Sequence, residues 1–329
     1  MSNTQSHGHL HWDAFSPRPW TEDDIDIKGT TDYPCCVGHE IIGTVIRVGQ
    51  NVTTHRLDDR VGVGAQALSC LQNSCPECAA GAENYCQRGV VFTWGGVFET
   101  TAAGGKKAYG GVADRHRVHA RFAVGIPEKM RSEHAAPLMC AGATVYAPLK
   151  RYGCGQGMAV GVVGVGGVGH LGILFARAMG AERVVMGVLG ADEYIATGMG
   201  EGEAGGTGWV GKHARRLDLI LCTVSGADMP INEYLALLKP GGTFVLIGAP
   251  DGGLLPSVNA FSLIPTAIHV AGSVIGSPGE IKEMLEFAAE KNIIPWIETR
   301  PLAEVNQAID DMGQGKARYR YVLVNEKNI

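Results

Sequence analysis

Residues 159–170 read AVGVVGVGGVGH, an apolar run that ends in Gly164-Val165-Gly166-Gly167-Val168-Gly169 and continues from His170 as a helical pattern. The order strand, GxGxxG, helix gives the glycines separate tasks: a tight turn without a Cβ, close approach of the backbone to a pyrophosphate, and tight packing of helix on strand. Main-chain N–H groups at the helix start then face the phosphates, where the helix dipole favours negative charge. The glycine pattern alone is weak in a chain with 47 glycines. Its strand-to-helix frame is what makes it a nucleotide-binding signal.

Downstream of this loop, strands and helices alternate, which predicts an α/β domain with a parallel sheet. Residues 160–163 read as the first strand, 170–179 as a helix closed by Gly180, and 183–188 as the second strand. Further buried strands are expected over 217–223, 243–248 and 269–275, with a helical stretch over 230–239 stopped by Pro240-Gly241-Gly242. Ser277-Pro278-Gly279-Glu280 is a capping box that opens an amphipathic helix reaching Lys291. A short helix over 303–312 and a strand over 319–324 close the chain. One crossover is missing. After 183–188 only Leu189-Gly190-Ala191-Asp192 precedes the next strand candidate, 193–197, whereas parallel neighbours need roughly a dozen residues between them.

Upstream, short apolar stretches alternate with the pairs Gly95-Gly96, Gly104-Gly105 and Gly110-Gly111, the pattern of a small irregular β-rich domain. Ile25 and Ile27 alternate with Asp24, Asp26 and Lys28 as a short half-buried strand. Cys70, Cys75, Cys78 and Cys86 are spaced so that four thiolates can close around one tetrahedral Zn²⁺ with no open position; the alternative is four unrelated buried cysteines. His39, followed by Glu40, enters a β-branched run at 41–49, and reads equally as a metal ligand or a hydrogen-bonded core histidine. Cys140, in an apolar stretch over 135–149, is a packing residue or a second ligand beside His39. His7, His9 and His11 near the N-terminus read as a solvated tip, with metal pick-up as the alternative.

The 329 residues suffice for two domains with full cores, and 45% hydrophobic with 19% charged residues is globular composition. A net charge of −5 argues against a general nucleic-acid binder. No apolar run reaches the about eighteen residues of a membrane span, and no basic-then-apolar leader stands at the N-terminus, so a cytoplasmic chain is expected. Nine cysteines, an odd number with four in one loop, suit metal binding in a reducing compartment better than a disulfide framework.

With the His-Glu pair, the four-cysteine loop, PLMCAGATVY at 137–146 and VVGVGGVGH at 162–170 in this order, the chain resembles the zinc-dependent medium-chain dehydrogenases, most of all the fungal NADP-dependent cinnamyl-alcohol-dehydrogenase branch. The resemblance implies a GroES-like β-rich catalytic domain over 1–150, to which 292–329 return, and a Rossmann domain over 151–291 that here lacks one crossover helix. It implies a homodimer. It also implies that His39 and Cys140 match catalytic zinc ligands, that Glu40 matches the neighbouring carboxylate able to bind that metal, and that Cys70, Cys75, Cys78 and Cys86 match a structural zinc site. Thr144, Gly164, Val165, Gly166, Gly167, Val168, Gly169, Thr223, Gly248, Ser273, Val274 and Ile275 match positions that line NADP(H).

Two departures accompany the resemblance. The family continues a strand like 24–28 into a GxCGxDxH-type segment that supplies a first catalytic cysteine and a hydroxyl relay. Here Lys28 runs straight into Gly29-Thr30-Thr31-Asp32-Tyr33-Pro34, and no cysteine precedes Cys35. Cys36 offers a substitute thiol at a position where the family aligns an apolar residue. The second departure is the lost crossover, and with it the Ser/Arg/Lys group that would hold the 2′-phosphate of NADP; Asp192 and Glu193 belong to a later stretch and are not read as ribose ligands. The expected activity is a zinc-dependent NADP(H) alcohol dehydrogenase or aldehyde reductase on aromatic or aliphatic alcohols and aldehydes, impaired by these losses. The competing readings are a non-catalytic shortened member that keeps structural zinc and weak nucleotide binding, and a zinc-independent reductase.

Overall fold

The computed structural model describes residues 36–98, 105–185, 192–193, 195, 208–226, 228–249 and 253–326. The histidines at 7–11, the strand read over 24–28, the turn at 29–34 and Cys35 lie outside them. The chain forms two compact units: one holds the sequence up to Cys140 together with Gly276–Ala289 and Trp296–Ile329, the other holds Ala141–Ile275 and Glu290–Pro295.

The first unit is built from short strands. β1 (Ile41–Thr44) and β2 (Arg60–Val63) pair antiparallel, and β2 also pairs with β7 (Ala123–Gly125). Between them, β3 (Gln66–Ser69) pairs with β4 (Val90–Phe92), and β5 (Val97–Phe98) with β6 (Lys106–Lys107). One-turn helices α1 (Pro76–Ala79) and α2 (Ser132–Ala135) interrupt the strands. The expected run over 41–49 forms a strand only through Thr44, after which Val45 N–H donates to Asp59 O and Asp58 N–H donates to Val45 O as a turn begins.

The second unit opens with α3 (Ala141–Arg151), then alternates: β8 (Ala159–Val163), α4 (Gly169–Ala178), β9 (Arg183–Val185), α5 (Gly208–His213), β10 (Leu217–Cys222), α6 (Ile231–Ala236), β11 (Leu238–Leu246), α7 (Ala260–Leu263) and β12 (His269–Gly272). The five strands form one parallel sheet in the order β12-β11-β10-β8-β9. Val160, Val162, Leu219, Ile220, Leu221, Phe244 and Val245 are fully buried, as strands covered on both faces require. The helix over 230–239 is shorter than its periodicity predicts. It stops at Ala236 because the chain joins β11 at Leu238, and Lys239-Pro240-Gly241-Gly242 then bulge out of the ladder before pairing resumes at Thr243. Proline has no N–H to give a central strand, so the bulge absorbs it.

After β9, Glu193 forms an isolated parallel bridge with Val185, and no helix lies between them among the described residues. Val184 and Val185 are nonetheless buried, Val185 within a cluster that includes Ile195, Leu217 and Leu237, with Trp209 of α5 packed against it. The chain then returns to the first unit with α8 (Pro278–Glu290), β13 (Ile297–Pro301), α9 (Val305–Gly313) and β14 (Arg320–Val324), β13 and β14 pairing in parallel. The capping box forms as read: Ser277 N–H donates to Glu280 Oε2 at 2.8 Å, and Glu280 N–H donates to Ser277 Oγ at 3.2 Å.

Candidate functional site

The four cysteines of the loop converge. Cys70 follows β3, Cys75 caps α1, Cys78 lies in it, and Cys86 follows a single turn at Glu83–Tyr85. Their sulfurs all lie within 4.8 Å of one another, with Cys70–Cys78 at 3.6 Å and Cys75–Cys86 at 3.8 Å. Four sulfurs each ~2.3 Å from a tetrahedral Zn²⁺ stand about 3.8 Å apart. The donor set therefore fits zinc at its own spacing, and a closed tetrathiolate site cross-links a loop that has little apolar core. This is the only such group of metal-ligating side chains among the described residues.

His39 and Glu40 sit differently. Main-chain hydrogen bonds from Gly110 to Cys36, Gly111 to Gly38 and Val112 to Val37 hold the approach to β1, so both side chains emerge from a fixed backbone. Trp94 Nε1–H donates to His39 Nδ1 at 3.0 Å. Glu40 accepts from the Arg320 guanidinium of β14 in an ion pair. Burial holds the His39 pKa below its usual value, with Glu40 raising it and Arg320 lowering it. The peptide leading to Cys140 packs just past the end of β2: a Cβ at Gly64 would stand 2.6 Å from the Met139 carbonyl oxygen, so only glycine admits that approach. Cys36 is buried with Sγ 3.4 Å from the Val112 carbonyl and 3.5 Å from that of Gly110; its thiol donates to main chain and offers no free thiolate.

A neutral imidazole has one N–H and one lone pair. Because Nδ1 accepts from the indole, the His39 proton resides on Nε2, and neither nitrogen presents a lone pair to a metal. As placed, then, His39 and Glu40 do not fit a zinc ion.

The nucleotide loop lies wholly in the second unit. Gly164 turns at φ +88°, and a Cβ on Gly169 would meet the Gly164 carbonyl oxygen at 1.8 Å, so helix and turn touch through backbone. Gly166 has open space where its Cβ would be, and no side chain caps the N-terminus of α4. These are the features of a pyrophosphate cradle. The Thr223 hydroxyl donates at 2.9 Å to Val163 O and lies 3.0 Å from Gly164 O, clamping the turn from the next strand. Gly248 N–H bonds to Cys222 O at 3.1 Å, and Ser273 N–H to Leu246 O at 3.1 Å. Thr144 sits in the first turn of α3. Gly164, Thr223, Gly248 and Ser273 thus follow the carboxyl ends of β8, β10, β11 and β12, and chain order reverses between β8 and β10, the usual position of a ligand crevice in such a sheet. Among the described residues the buried Ser273 Oγ has no hydrogen-bond partner, and Ile275 holds φ +37°, a strained value for a β-branched residue. Val274 beside them is exposed.

Asp192 and Glu193 are spent on structure. Asp192 accepts from Val184 N–H at 2.7 Å and pairs with Arg177; Glu193 pairs with Arg183 and lies 3.1 Å from His213 Nδ1. Trp94 and Arg320 are the partners that sequence reading missed. Trp94 read equally as a substrate-pocket or a core residue, and the only signal for Arg320 was a single cation opening the apolar strand RYVLV.

Comparison with known proteins places both halves. The family model for the alcohol dehydrogenase GroES-like domain matches residues 20–128, and that for zinc-binding dehydrogenases matches 167–290. The chain is 37% identical to NADP-dependent alcohol dehydrogenase 6 of Saccharomyces cerevisiae, over 94% of this chain and 91% of the relative. Among solved structures, it is similar to a cinnamyl alcohol dehydrogenase of Sorghum bicolor, with a TM-score of 0.81 at 37% identity over 90% of this chain and 83% of that one. It is also similar to a Helicobacter pylori cinnamyl alcohol dehydrogenase complexed with NADP(H), with a TM-score of 0.78 at 30% identity over 91% of this chain and 84% of that one.

Proposed function

The chain belongs to the zinc-binding alcohol dehydrogenases with a GroES-like domain, and from that premise we propose that it interconverts alcohols and aldehydes with NADP(H), on aromatic or aliphatic substrates. The observation that carries this reading is the backbone cradle at Gly164–Gly169, clamped by Thr223 where the order of the parallel strands reverses. Family membership supplies the reaction: NADPH, an aldehyde and a proton give NADP⁺ and the alcohol. Bound NADP(H) supplies the hydride. The chain's own residues fix where it does so. The loop would hold the pyrophosphate, Thr223 keeps the turn in shape, and Ser273 Oγ, without a partner among the described residues, would offer a hydrogen bond to a polar group of the cofactor. Cys70, Cys75, Cys78 and Cys86 would hold a zinc ion with no coordination position left open, so that metal would serve the fold.

The partner of the chain is a second copy of itself. Among the described residues β12 pairs only with β11 and ends the sheet, and the segment leading to it exposes Phe261 and Ile264 at 79% and 75% with Val270 on the strand itself. An apolar edge of this kind is covered when two sheets meet edge to edge about a twofold axis. No helix among the described residues is long and apolar enough to cross a membrane, in keeping with a cytoplasmic enzyme.

NADPH carrying deuterium at its transferable position tests the proposal. Deuterium should appear in the alcohol formed from an aromatic aldehyde; unlabelled alcohol, or none at high enzyme concentration, contradicts it.

A further inference from the structure

We infer that the His39–Glu40 pair is a structural latch rather than a metal site, and that each chain binds a single zinc, at the cysteine loop. His39 and Glu40 are adjacent, but each is already committed to a different distant segment. The imidazole takes the indole N–H of Trp94 at 3.0 Å, and the carboxylate takes the Arg320 guanidinium. Both pairs are sheltered: the Glu40 and Arg320 side chains are 21% and 23% exposed. Together they tie the entry of β1 to the turn after β4 and to the closing strand β14.

A zinc ion at this place would have to undo both ties. His39 could ligate it only after losing the indole N–H and moving its own proton from Nε2 to Nδ1. Recruiting Glu40 would strip Arg320 of its counter-charge in a sheltered position, and breaking one side of such a pair costs more than the pair contributes. The stranded guanidinium would then face a dication across Glu40, where like charges repel strongly because little water screens them. Cys140 alone cannot hold the metal, and Cys36 turns its thiol to main-chain carbonyls. The cysteine loop, by contrast, needs no rearrangement to reach tetrahedral spacing.

Metal analysis of the purified full chain expressed with added zinc tests the inference. One zinc per chain is expected, falling toward none in Cys75→Ser and unchanged in His39→Ala and Glu40→Gln, with the two latch variants melting a few degrees lower. Two zinc ions per chain, or a zinc lost on replacing His39, overturns it; so does a chain that carries none. Should the latch variants fail to fold, the count on the native chain decides alone, and cobalt substitution gives a second count: one equivalent with a tetrathiolate spectrum is expected, and a second equivalent in a mixed sulfur–nitrogen environment overturns it. An NADPH titration of the same samples reads the nucleotide site independently, so failure of the cofactor reading leaves the zinc count standing.

Discussion

A single hydroxyl, that of Thr223, holds the nucleotide turn from outside it, and a single hydrogen atom, where Gly169 lacks a Cβ, lets the helix meet that turn. Gly169→Ala must push backbone against backbone, which no rotamer can relieve; overpacking of this kind costs about 1–3 kcal/mol. NADPH affinity, read by its fluorescence on binding, should fall roughly tenfold or more while the zinc content stays unchanged. Cys75→Ser should act in the opposite sense, releasing zinc and lowering the melting temperature, since metal-binding energy is folding energy for such a loop. These residues were legible in the sequence because their chemistry is local: six positions make the cradle, and seventeen residues carry the four thiols. The partners of His39 and Glu40 were not. Trp94 lies 55 positions from His39 and Arg320 lies 280 from Glu40, distances over which neither periodicity nor spacing carries information.

At the scale of elements, local rules held where the ends were chemically marked. The capping box at Ser277 and Glu280 starts α8 where the sequence places it, and Ser277→Ala should destabilise the fold by about 1 kcal/mol, measurable by denaturant unfolding. The α9 ion network makes a pH prediction. Arg300, then Lys316, hold the Asp311 carboxylate down from 3.8 to about 2, with Gln307 adding a further bond. Because the folded value lies below the unfolded one, the network stabilises the protein above about pH 4 and loses its effect as pH falls toward 2. The melting-temperature gap between the native chain and Asp311→Asn should be full at neutral pH and close over that acid range; a gap independent of pH contradicts the assignment. Boundaries failed where tertiary pairing overrode pattern. The helix over 230–239 lost its last turn to β11, whose bulge takes in Pro240, and the strand over 183–188 is described only to Val185. Beyond Val185, Glu193 makes an isolated parallel bridge to it; the short link read between them lies mostly outside the described residues.

For the molecule as a whole, the strand-helix alternation predicted the parallel sheet, and the glycine-rich upstream half predicted a small irregular β-rich domain, which forms as short antiparallel pairs. Assembly is a surface property that the pattern does not reveal. If the β12 edge joins two copies, Phe261→Glu with Ile264→Glu should halve the mass seen by light scattering while NADPH binding persists, and an unchanged mass would place the interface elsewhere. What unites the scales is the claim that this chain works as an NADP(H)-linked alcohol dehydrogenase or aldehyde reductase. Steady-state turnover of an aromatic aldehyde, followed through the loss of NADPH absorbance, tests it most directly. NADPH consumption should be matched one for one by alcohol, and slowed roughly tenfold or more in Gly169→Ala at limiting cofactor. NADPH that binds but is not consumed, even at high enzyme concentration, would contradict it.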